Sequence, residues 1–397
     1  MSANRILTTH VGSLPRPERV VEQLFAQDSG LNYNPALFDR IMVEEVAAVV
    51  GRQVAARVDV VSDGEMSKIS YATYIRHRLT GFEIGEMPRA TPRDLDDFPD
   101  FKERLAKLGA TPKYHRPICR GPIAVKDLSG LHRDIANLQA ACKKHAAPRA
   151  FMNSASPGVI AVFQPNDYYP THEKYLEALA NAMSTEYEAI VASGLDLQID
   201  APDLGMGRHI KFRDATEEEF LRHANLHVEA LNHALRNVPA ERIRMHICWG
   251  NYEGPHHHDI GLDRVLGLVC KAKPATILFE GANPRHAHEW EVWADAQKQG
   301  LVPENKILCP GVLDSTTNFI EHPRLVAQRL LQYAAIVGRD RVMAGTDCGF
   351  GTFAGFGAVH PPIAYAKLES MAKGAAMASA ELWSPSPLAS SLTGVKT

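Results

Sequence analysis

The sequence predicts an α/β protein, a (β/α)8 barrel of the TIM type with one inserted hairpin excursion. Two observations support this prediction. Short apolar runs rich in β-branched residues alternate with longer amphipathic stretches over most of the 397 residues, and eight such runs occur. Histidine, cysteine or carboxylate residues follow most of the runs, as expected where strands end at the mouth of a barrel.

The eight predicted strands follow one another along the chain. They are ILTTHVGS at 6–13, VDVVSDGE at 58–65, FMNSASPGVIAVF at 151–163, LDLQIDAP at 195–202, IRMHICWG at 243–250, TILFEGA at 276–282, KILCPGVLDS at 306–315 and RVMAGTDCGF at 341–350. The stretches between them place apolar residues three and four positions apart, clearest over 35–56, 171–191 and 217–235, which is typical of helices packed on one face.

Two segments fall outside this alternation. Residues 83–116 are rich in Pro, Asp and Lys and are followed by ICRGPIAV, so we expect an insertion with a hairpin over about 83–125. The Ser/Pro-rich tail over 383–397 is expected to be frayed. We therefore expect a single catalytic barrel over 1–382.

Composition excludes several classes of partner. The chain has 43 Lys and Arg against 46 Asp and Glu, a formal charge of −3, which leaves no basic excess for nucleic acid. Neither a signal-peptide pattern nor an apolar run of membrane-spanning length is evident, so we expect a cytoplasmic protein that binds no membrane. Its six scattered cysteines do not form a disulfide framework and remain available for metal.

Four potential metal ligands lie at predicted strand ends. His246 and Cys248 are two residues apart on one strand and share a face. Glu280 and Cys348 end two later strands and reach the same mouth. One nitrogen, two sulfurs and one oxygen suit Zn2+ better than Mg2+ or Ca2+. The alternative is that the cysteines are buried small apolar residues and His246 a hydrogen-bonded strand residue.

The strand-end motifs resemble those of the cobalamin-independent methionine synthases, in their C-terminal catalytic barrel and its single-barrel relatives. The matching motifs are GSLP at 12–15, DGE at 63–65, QID at 198–200, HIC at 246–248, FE at 279–280, CPGVLD at 309–314 and DCG at 347–349. The likeness extends from the first strand to about residue 380. It implies zinc-dependent methyl transfer to the thiol of homocysteine.

The resemblance also implies roles for individual residues. The zinc ligands fall on His246, Cys248, Glu280 and Cys348. Contacts to the amino acid that carries the thiol fall on three residues at other strand ends, namely Ser13, Glu65 and Asp200. Metal binding deprotonates a thiol that is mostly protonated at neutral pH, and the thiolate then attacks the alkyl carbon.

The half of the site that would receive the alkyl donor departs from the family pattern. Thr316 stands where the family has the histidine that acts as general acid. Phe163 stands where the family has a tryptophan that stacks on folate. We therefore assign catalytic roles to His10, as a replacement acid, and to Asp314, and a donor-binding role to Phe163. The Gly/His-rich loop over 249–259 is a further candidate for positioning the donor or protonating the leaving group.

These observations predict a transferase whose partners are a small-molecule thiol and an alkyl donor, with a methylfolate as the leading donor. The main alternative resembles epoxyalkane–coenzyme M transferase, in which a zinc thiolate opens an epoxide. Glu65 and Asp200 favour an ammonium over the sulfonate of coenzyme M. A zinc hydrolase or lyase and a non-enzymatic zinc protein are also considered, and the sequence leaves the oligomeric state open.

Overall fold

The computed structural model describes residues 4–85, 91–107 and 115–384. Ten strands are present in this part of the chain. They are β1 (Leu7–Thr8), β2 (Val60–Val61), β3 (Phe82–Gly85), β4 (Arg116–Cys119), β5 (Arg149–Ala155), β6 (Asp196–Asp200), β7 (Ile243–His246), β8 (Thr276–Phe279), β9 (Ile307–Pro310) and β10 (Met343–Ala344).

Eight of these strands form a parallel barrel. Strands β2, β5, β6, β7, β8 and β9 make one curled sheet in that order, and β1 pairs with β10. Parallel bridges between Leu308 and Val342 and between Gly311 and Gly345 join β9 to β10. The amide of Asp59 donates to the carbonyl of Thr8 (3.1 Å) and so joins β1 to β2. The predicted TIM-type barrel is confirmed, and each predicted strand overlaps one barrel strand.

Helices surround the barrel and bury one face against it. They are α1 (Glu18–Ser29), α2 (Pro35–Ala55), α3 (Pro99–Lys107), α4 (Ser129–His145), α5 (Pro157–Phe163), α6 (His172–Ala192), α7 (Glu217–Ala234), α8 (Leu262–Lys271), α9 (Trp290–Lys298), α10 (Pro323–Val337) and α11 (Pro361–Trp383). Side-chain caps fix several starts, and α7 begins with a complete capping box between Thr216 and Glu219. In the described ranges, no helix has the length and apolar character needed to cross a membrane.

The third predicted strand was too long. Strand β5 ends at Ala155, and helix α5 occupies the second half of the apolar run. Ser156 starts this helix because its side chain accepts a hydrogen bond from the amide of Val159 (2.9 Å), and Pro157 takes the first helical position. Phe163 is consequently the last residue of a helix rather than part of a strand.

The predicted hairpin is present in the insertion. Strands β3 and β4 pair antiparallel, with Phe82 opposite Cys119 and Gly85 opposite Arg116. The connecting segment contains a 3-10 helix (Arg93–Asp96) and α3. Residues 86–90 and 108–114 of the insertion, and 385–397 of the tail expected to be frayed, lie outside the described residues. The assignment of 1–382 to one catalytic barrel stays a prediction.

A buried arginine fills the barrel one layer below the strand ends. Arg244 precedes His246 by two residues on β7 and therefore shares its face. Its guanidinium donates to Oγ1 of Thr9 (2.8 Å) and to the carbonyl of His10 (2.7 Å), and it lies over the ring of Phe151 at 3.9 Å. The mouth above this arginine is where strand-end side chains meet.

Candidate functional site

Three of the four predicted metal ligands meet at the mouth of the barrel. One ligand atom from each of His246, Cys248 and Cys348 lies within 4.8 Å of the other two, and all three residues are buried. The sulfurs of Cys248 and Cys348 are 3.7 Å apart. Residues from two strands a hundred positions apart thus form one compact group of a nitrogen and two sulfurs, which we call the buried cluster.

The chemistry of this cluster fits a metal cation. Neither ring nitrogen of His246 has a side-chain hydrogen-bonding partner among the described residues, although the side chain is buried. Burial, together with the nearby Arg244, lowers the pKa of His246 to about 3, so the ring is neutral and has a free lone pair. Contact with Cys348 and burial raise the pKa of Cys248 well above its usual value. A cation would offset the cost of ionising these thiols.

Glu280 lies beside this cluster but is not part of it. Its Oε1 accepts a hydrogen bond from the amide of Trp249 (2.8 Å), and its Oε2 accepts one from the side-chain amide of Asn283 (2.7 Å). Burial and the neighbouring Cys248 raise the pKa of Glu280 well above its usual range. Hydrogen bonds from Trp249 and Asn283 therefore hold the carboxylate next to the cluster.

Asp347 fixes the loop that carries Glu280. Its carboxylate accepts hydrogen bonds from the amides of Gly281, Ala282 and Asn283 (2.8 Å each) and from the side chain of Asn283 (3.0 Å). A Cβ atom at Gly311 would collide with this carboxylate, so glycine is required there. Because Asp347 precedes Cys348, one residue aligns the ends of β8 and β10.

The buried cluster opens into a cavity of about 320 Å³. The walls come from strand ends, from the insertion and from the loop after Cys248. Residues that contribute to these walls include Ser13, Glu65, Tyr71, Leu95, Leu105, Phe163, Asp200, Asn251, Tyr252 and Phe353. The structure therefore brings all three predicted amino-acid contacts and Phe163 into one cavity with the cluster.

Glu65 and Asp200 form a buried acidic pair in this cavity. Asp200 accepts hydrogen bonds from the side-chain amides of Asn153 (3.0 Å) and Gln198 (3.0 Å). Oε2 of Glu65 has no partner within the described ranges. Burial and the nearby Asp200 raise the pKa of Glu65 to about 8, and burial raises that of Asp200 to about 6. An uncompensated buried carboxyl of this kind is suited to a cationic ligand.

Ser13 and the turn at Glu65 lie against the segment that follows Cys348. The carbonyl of Ser13 accepts a hydrogen bond from the amide of Phe350 (2.8 Å). A Cβ atom at Gly349 would collide with Oγ of Ser13. Arg16 donates to the carbonyl of Glu65 through Nε (3.1 Å) and a terminal nitrogen (2.9 Å), and Glu65 adopts a left-handed φ of 56°. These contacts hold Glu65 beside the segment that carries Cys348.

Aromatic side chains form the opposite wall. The ring of Tyr71 meets Phe163 edge-on at 5.6 Å and lies tilted against Phe353 at 5.8 Å. Phe163 is held from behind because its carbonyl accepts a hydrogen bond from Nε of Arg116 (2.6 Å). The three rings give the cavity an apolar, aromatic wall against which a ligand can pack.

The insertion closes the mouth through side-chain hydrogen bonds. Asp94, in the 3-10 helix, accepts from the hydroxyl of Tyr252 (2.6 Å) and from the amide of His256 (2.8 Å). Arg213 pairs with Asp96 and donates to the carbonyl of Thr91 (3.1 Å). The insertion thus faces the loop over 249–259 and forms part of the cavity wall with it.

A buried network of histidines supports this loop. Oδ2 of Asp259 bonds to His256 (2.9 Å) and His286 (3.1 Å), and Oδ1 lies 3.0 Å from His209. His286 also bonds to Glu289 (2.9 Å), and these partners raise the pKa of His286 to about 10 despite its burial. The ring of Trp249 lies over His286 at 4.4 Å, so the network underlies the residue whose amide contacts Glu280.

Neither of the two residues predicted as catalytic, His10 and Asp314, lines this cavity. His10 is absent from the cavity wall. Its Nε2 is 2.7 Å from Oε1 of Gln53 and its ring packs on Phe151, while burial lowers its pKa to about 4. This placement argues against His10 as a leaving-group acid. Asp314 lines a second cavity, whose wall also includes Glu280 and Cys348, and it accepts hydrogen bonds from Thr316 (2.8 Å) and Thr317 (2.9 Å) in its own loop.

Several supporting residues were not predicted. Asp347 belongs to the DCG motif at 347–349, but no role was predicted for it or for Asp94, Tyr252 and Asp259. The spacing of Asp347 from Cys348 could have pointed to a supporting role, since carboxylates next to metal ligands often orient the other ligands. Asp94 gives no comparable signal because it lies in an irregular insertion.

The fold and the site define a TIM-type barrel protein with a buried cluster of one histidine and two cysteines at its strand ends that could hold a metal ion. Among curated proteins, the chain is 25% identical over 381 residues to the methionine synthase of Saccharolobus solfataricus, covering 94% of this chain and 95% of that protein. It is 22% identical over 379 residues to the methionine synthase of Sulfolobus acidocaldarius, covering 94% and 93%. These relatives confirm the resemblance to methionine synthases along nearly the whole chain.

Solved structures agree on the fold. A B12-independent methionine synthase from Shewanella sp. W3-18-1, in complex with selenomethionine, has a TM-score of 0.71 at 19% identity, covering 95% of this chain and 99% of that one. A putative vitamin-B12-independent methionine synthase from Listeria monocytogenes has a TM-score of 0.64 at 17% identity, covering 96% and 100%. No protein-family model matches the chain.

Proposed function

We propose that this protein is a zinc-dependent methyltransferase that methylates the thiol of homocysteine. The main observation behind this proposal is that one cavity contains two complementary groups. One is the buried cluster of His246, Cys248 and Cys348, and the other is the acidic pair of Glu65 and Asp200, in which Oε2 of Glu65 has no partner among the described residues. A soft metal site next to a cation-binding pair matches a substrate with a thiol and an ammonium. The similarity to proteins named methionine synthase supports the same assignment.

The residues present fit a bound zinc ion. His246, Cys248 and Cys348 would hold it, with Glu280 as a fourth ligand beside them. Zinc bound there would supply Lewis acidity that favours the thiolate form of a substrate thiol at neutral pH. Two cysteine ligands keep the net charge of such a centre low, which suits thiolate chemistry better than the hydrolysis of a bound water.

The other residues bind and orient the two substrates. Glu65 and Asp200 accept hydrogen bonds from the ammonium of homocysteine, and Ser13 lies beside them at the strand end. The aromatic wall of Tyr71, Phe163 and Phe353 holds the flat part of the methyl donor. A methylfolate-like donor fits this wall, and the closed mouth excludes water from the transfer.

The acidic pair distinguishes this function from its main alternative. Coenzyme M carries a sulfonate, which the ionised forms of Glu65 and Asp200 would repel. The test uses cobalt-substituted protein and follows its visible absorption on addition of homocysteine or coenzyme M. We expect one metal per chain and a spectral change with homocysteine alone. A response to coenzyme M alone would move the assignment to epoxide opening, and a metal without any thiol response would contradict thiol alkylation.

A further inference from the structure

A second group of potential metal ligands lies on the surface, separate from the buried cluster. It consists of Asp97, which follows the 3-10 helix of the insertion, and of His257 and His258 in the loop after Cys248. The Nε2 atoms of His257 and His258 lie 2.8 and 2.7 Å from Oδ2 of Asp97. We call these three residues the outer cluster, and each side chain is between 33% and 52% exposed.

The loop is bent so that both imidazoles point the same way. Neighbouring residues in extended chain direct their side chains apart, yet the rings of His257 and His258 lie side by side at 4.2 Å. The bend begins at His256, whose φ of 53° is left-handed, a conformation that is uncommon for a residue other than glycine. Asp94 accepts from the amide of His256 (2.8 Å) and Asp259 from its ring (2.9 Å), and both bonds fix the bend.

The Asp97 side of the outer cluster is also held in place. Asp94 and Asp96, on the same short helix, are tied to Tyr252 and Arg213. Phe98 packs edge-on against His257 at 5.6 Å. The spacing between Asp97 and the two histidines is therefore set by contacts that do not involve the ligand atoms themselves, which favours binding because little ordering is required.

We propose that the outer cluster binds an exchangeable divalent transition-metal ion, for which Zn2+ is the probe. Two imidazoles and a carboxylate are ligands that zinc accepts. Two donors about 2.1 Å from a tetrahedral zinc ion lie about 3.4 Å apart, so the observed gaps need to widen by roughly 0.6 to 0.7 Å. On binding, each Nε2 coordinates through its lone pair while Nδ1 carries the ring proton; a proton on Nε2 of a neutral ring moves to Nδ1 through solvent, and the extra proton of a charged ring goes to solvent. Water fills the remaining positions.

An ion at this position would strengthen the closure of the mouth of the cavity that contains the buried cluster. Asp97 belongs to the segment that contributes Leu95 and Leu105 to the cavity wall, whereas His257 and His258 belong to the loop that contributes Asn251 and Tyr252. Coordination would link these two walls directly. The outer ion thus acts on access to the cavity and takes no part in the chemistry at the buried cluster.

The first test is calorimetric titration of the full-length protein with Zn2+ after its tightly bound metal has been quantified. We expect one further equivalent to bind. The double variant H257A/H258A should weaken this second equivalent at least tenfold, a size seen when groups that support a metal are removed. The variant H132A/H288A removes two exposed histidines elsewhere and should bind like the wild type. Asp97→Asn removes the carboxylate ligand on the other segment, and it should also weaken binding of the second equivalent.

The second test asks whether the ion closes the mouth. Zn2+ should slow backbone hydrogen exchange over 91–107 in the wild type and leave it unchanged in H257A/H258A. Failure of the wild type to bind a second equivalent would overturn the site. Binding as tight as that of the wild type in both H257A/H258A and Asp97→Asn would do the same. Binding without slower exchange would overturn its role in closing the mouth. Neither result depends on which thiol or donor the enzyme uses.

Discussion

The floor of the cavity and its mouth are constructed differently. On the floor, His246, Cys248, Cys348 and Asp200 lie at or just beyond the ends of barrel strands, so the backbone of a closed sheet positions them. At the mouth, segments without regular pairing are held by side chains, as where Asp94 bonds to Tyr252. A floor of this kind is suited to chemistry that needs fixed distances, whereas the mouth can open with the loss of a few hydrogen bonds.

The largest expected effect comes from removing a sulfur of the floor. In Cys248→Ser or Cys348→Ser we expect loss of bound metal and a fall in methyl transfer of about 1,000-fold or more, because the metal contributes several kcal/mol. Metal content and steady-state rates measure this. Cys270→Ser removes a partly buried thiol outside the site and should retain both. Full activity in either cluster variant would contradict the assignment of the ligands.

A supporting residue of the floor should have the next largest effect. Asp347→Asn removes one carboxylate oxygen from the hydrogen bonds that hold residues 281–283, so we expect metal affinity to fall about 10- to 100-fold. Competition with a chelator measures the affinity. Asp340→Asn changes an exposed aspartate on the preceding loop and is the matched control. Unchanged affinity in Asp347→Asn would show that the loop is held by its other contacts.

The acidic pair should determine which thiol is preferred. In Glu65→Gln we expect KM for homocysteine to rise about tenfold to a hundredfold with little change in kcat, as a charge-assisted hydrogen bond to substrate is lost. The control is 4-mercaptobutanoate, which lacks the ammonium and should react equally with both proteins. A matching loss for both thiols would indicate a structural role for Glu65.

The same pair predicts a dependence on pH. Burial and Asp200 raise the pKa of Glu65 to about 8, so the free protein must lose this proton before it pairs with an ammonium. KM for homocysteine should therefore fall as pH rises from 6 to 8. The fall should exceed that of KM for 4-mercaptobutanoate by a factor of at most about ten for each pH unit. Glu65→Gln should remove this difference. A KM that rises over this range would contradict the ion pair.

The smallest effect is expected at the mouth. Tyr252→Phe removes the hydrogen bond to Asp94 and leaves the ring in the wall, so we expect KM for the methyl donor to rise about three- to tenfold. Metal content and KM for homocysteine should be unchanged. An effect on metal content would mean that the mouth and the floor are not independent.

The sequence predicted the floor better than the mouth for a physical reason. Strand ends in a parallel barrel converge, so finding Cys248 and Cys348 after two apolar runs was enough to place them together. Alternation also located all eight strands. It could not show where β5 ended, because the apolar run continues into α5 and only Ser156 and Pro157 mark the change.

Contacts between irregular segments have no periodicity from which they could be predicted. The bond from Tyr252 to Asp94 joins residues 158 positions apart, and nothing in either local sequence indicates the other.

His10 shows a related difficulty. Its position near a strand end suggested the mouth, but its ring turns to Gln53 on α2, and that orientation depends on packing.

The hydrogen bonds of Asp347 reduce the number of parts that must be assembled. Cys348 and Glu280 form one body because Asp347 ties their loops together, and His246 at the end of β7 and Cys248 just after it form a second body. The bond from the amide of Trp249 to Glu280 joins the two bodies. Metal-free protein should consequently keep the shape of the site. Ion binding then needs no accompanying folding, unlike the small domains that are unfolded without their metal.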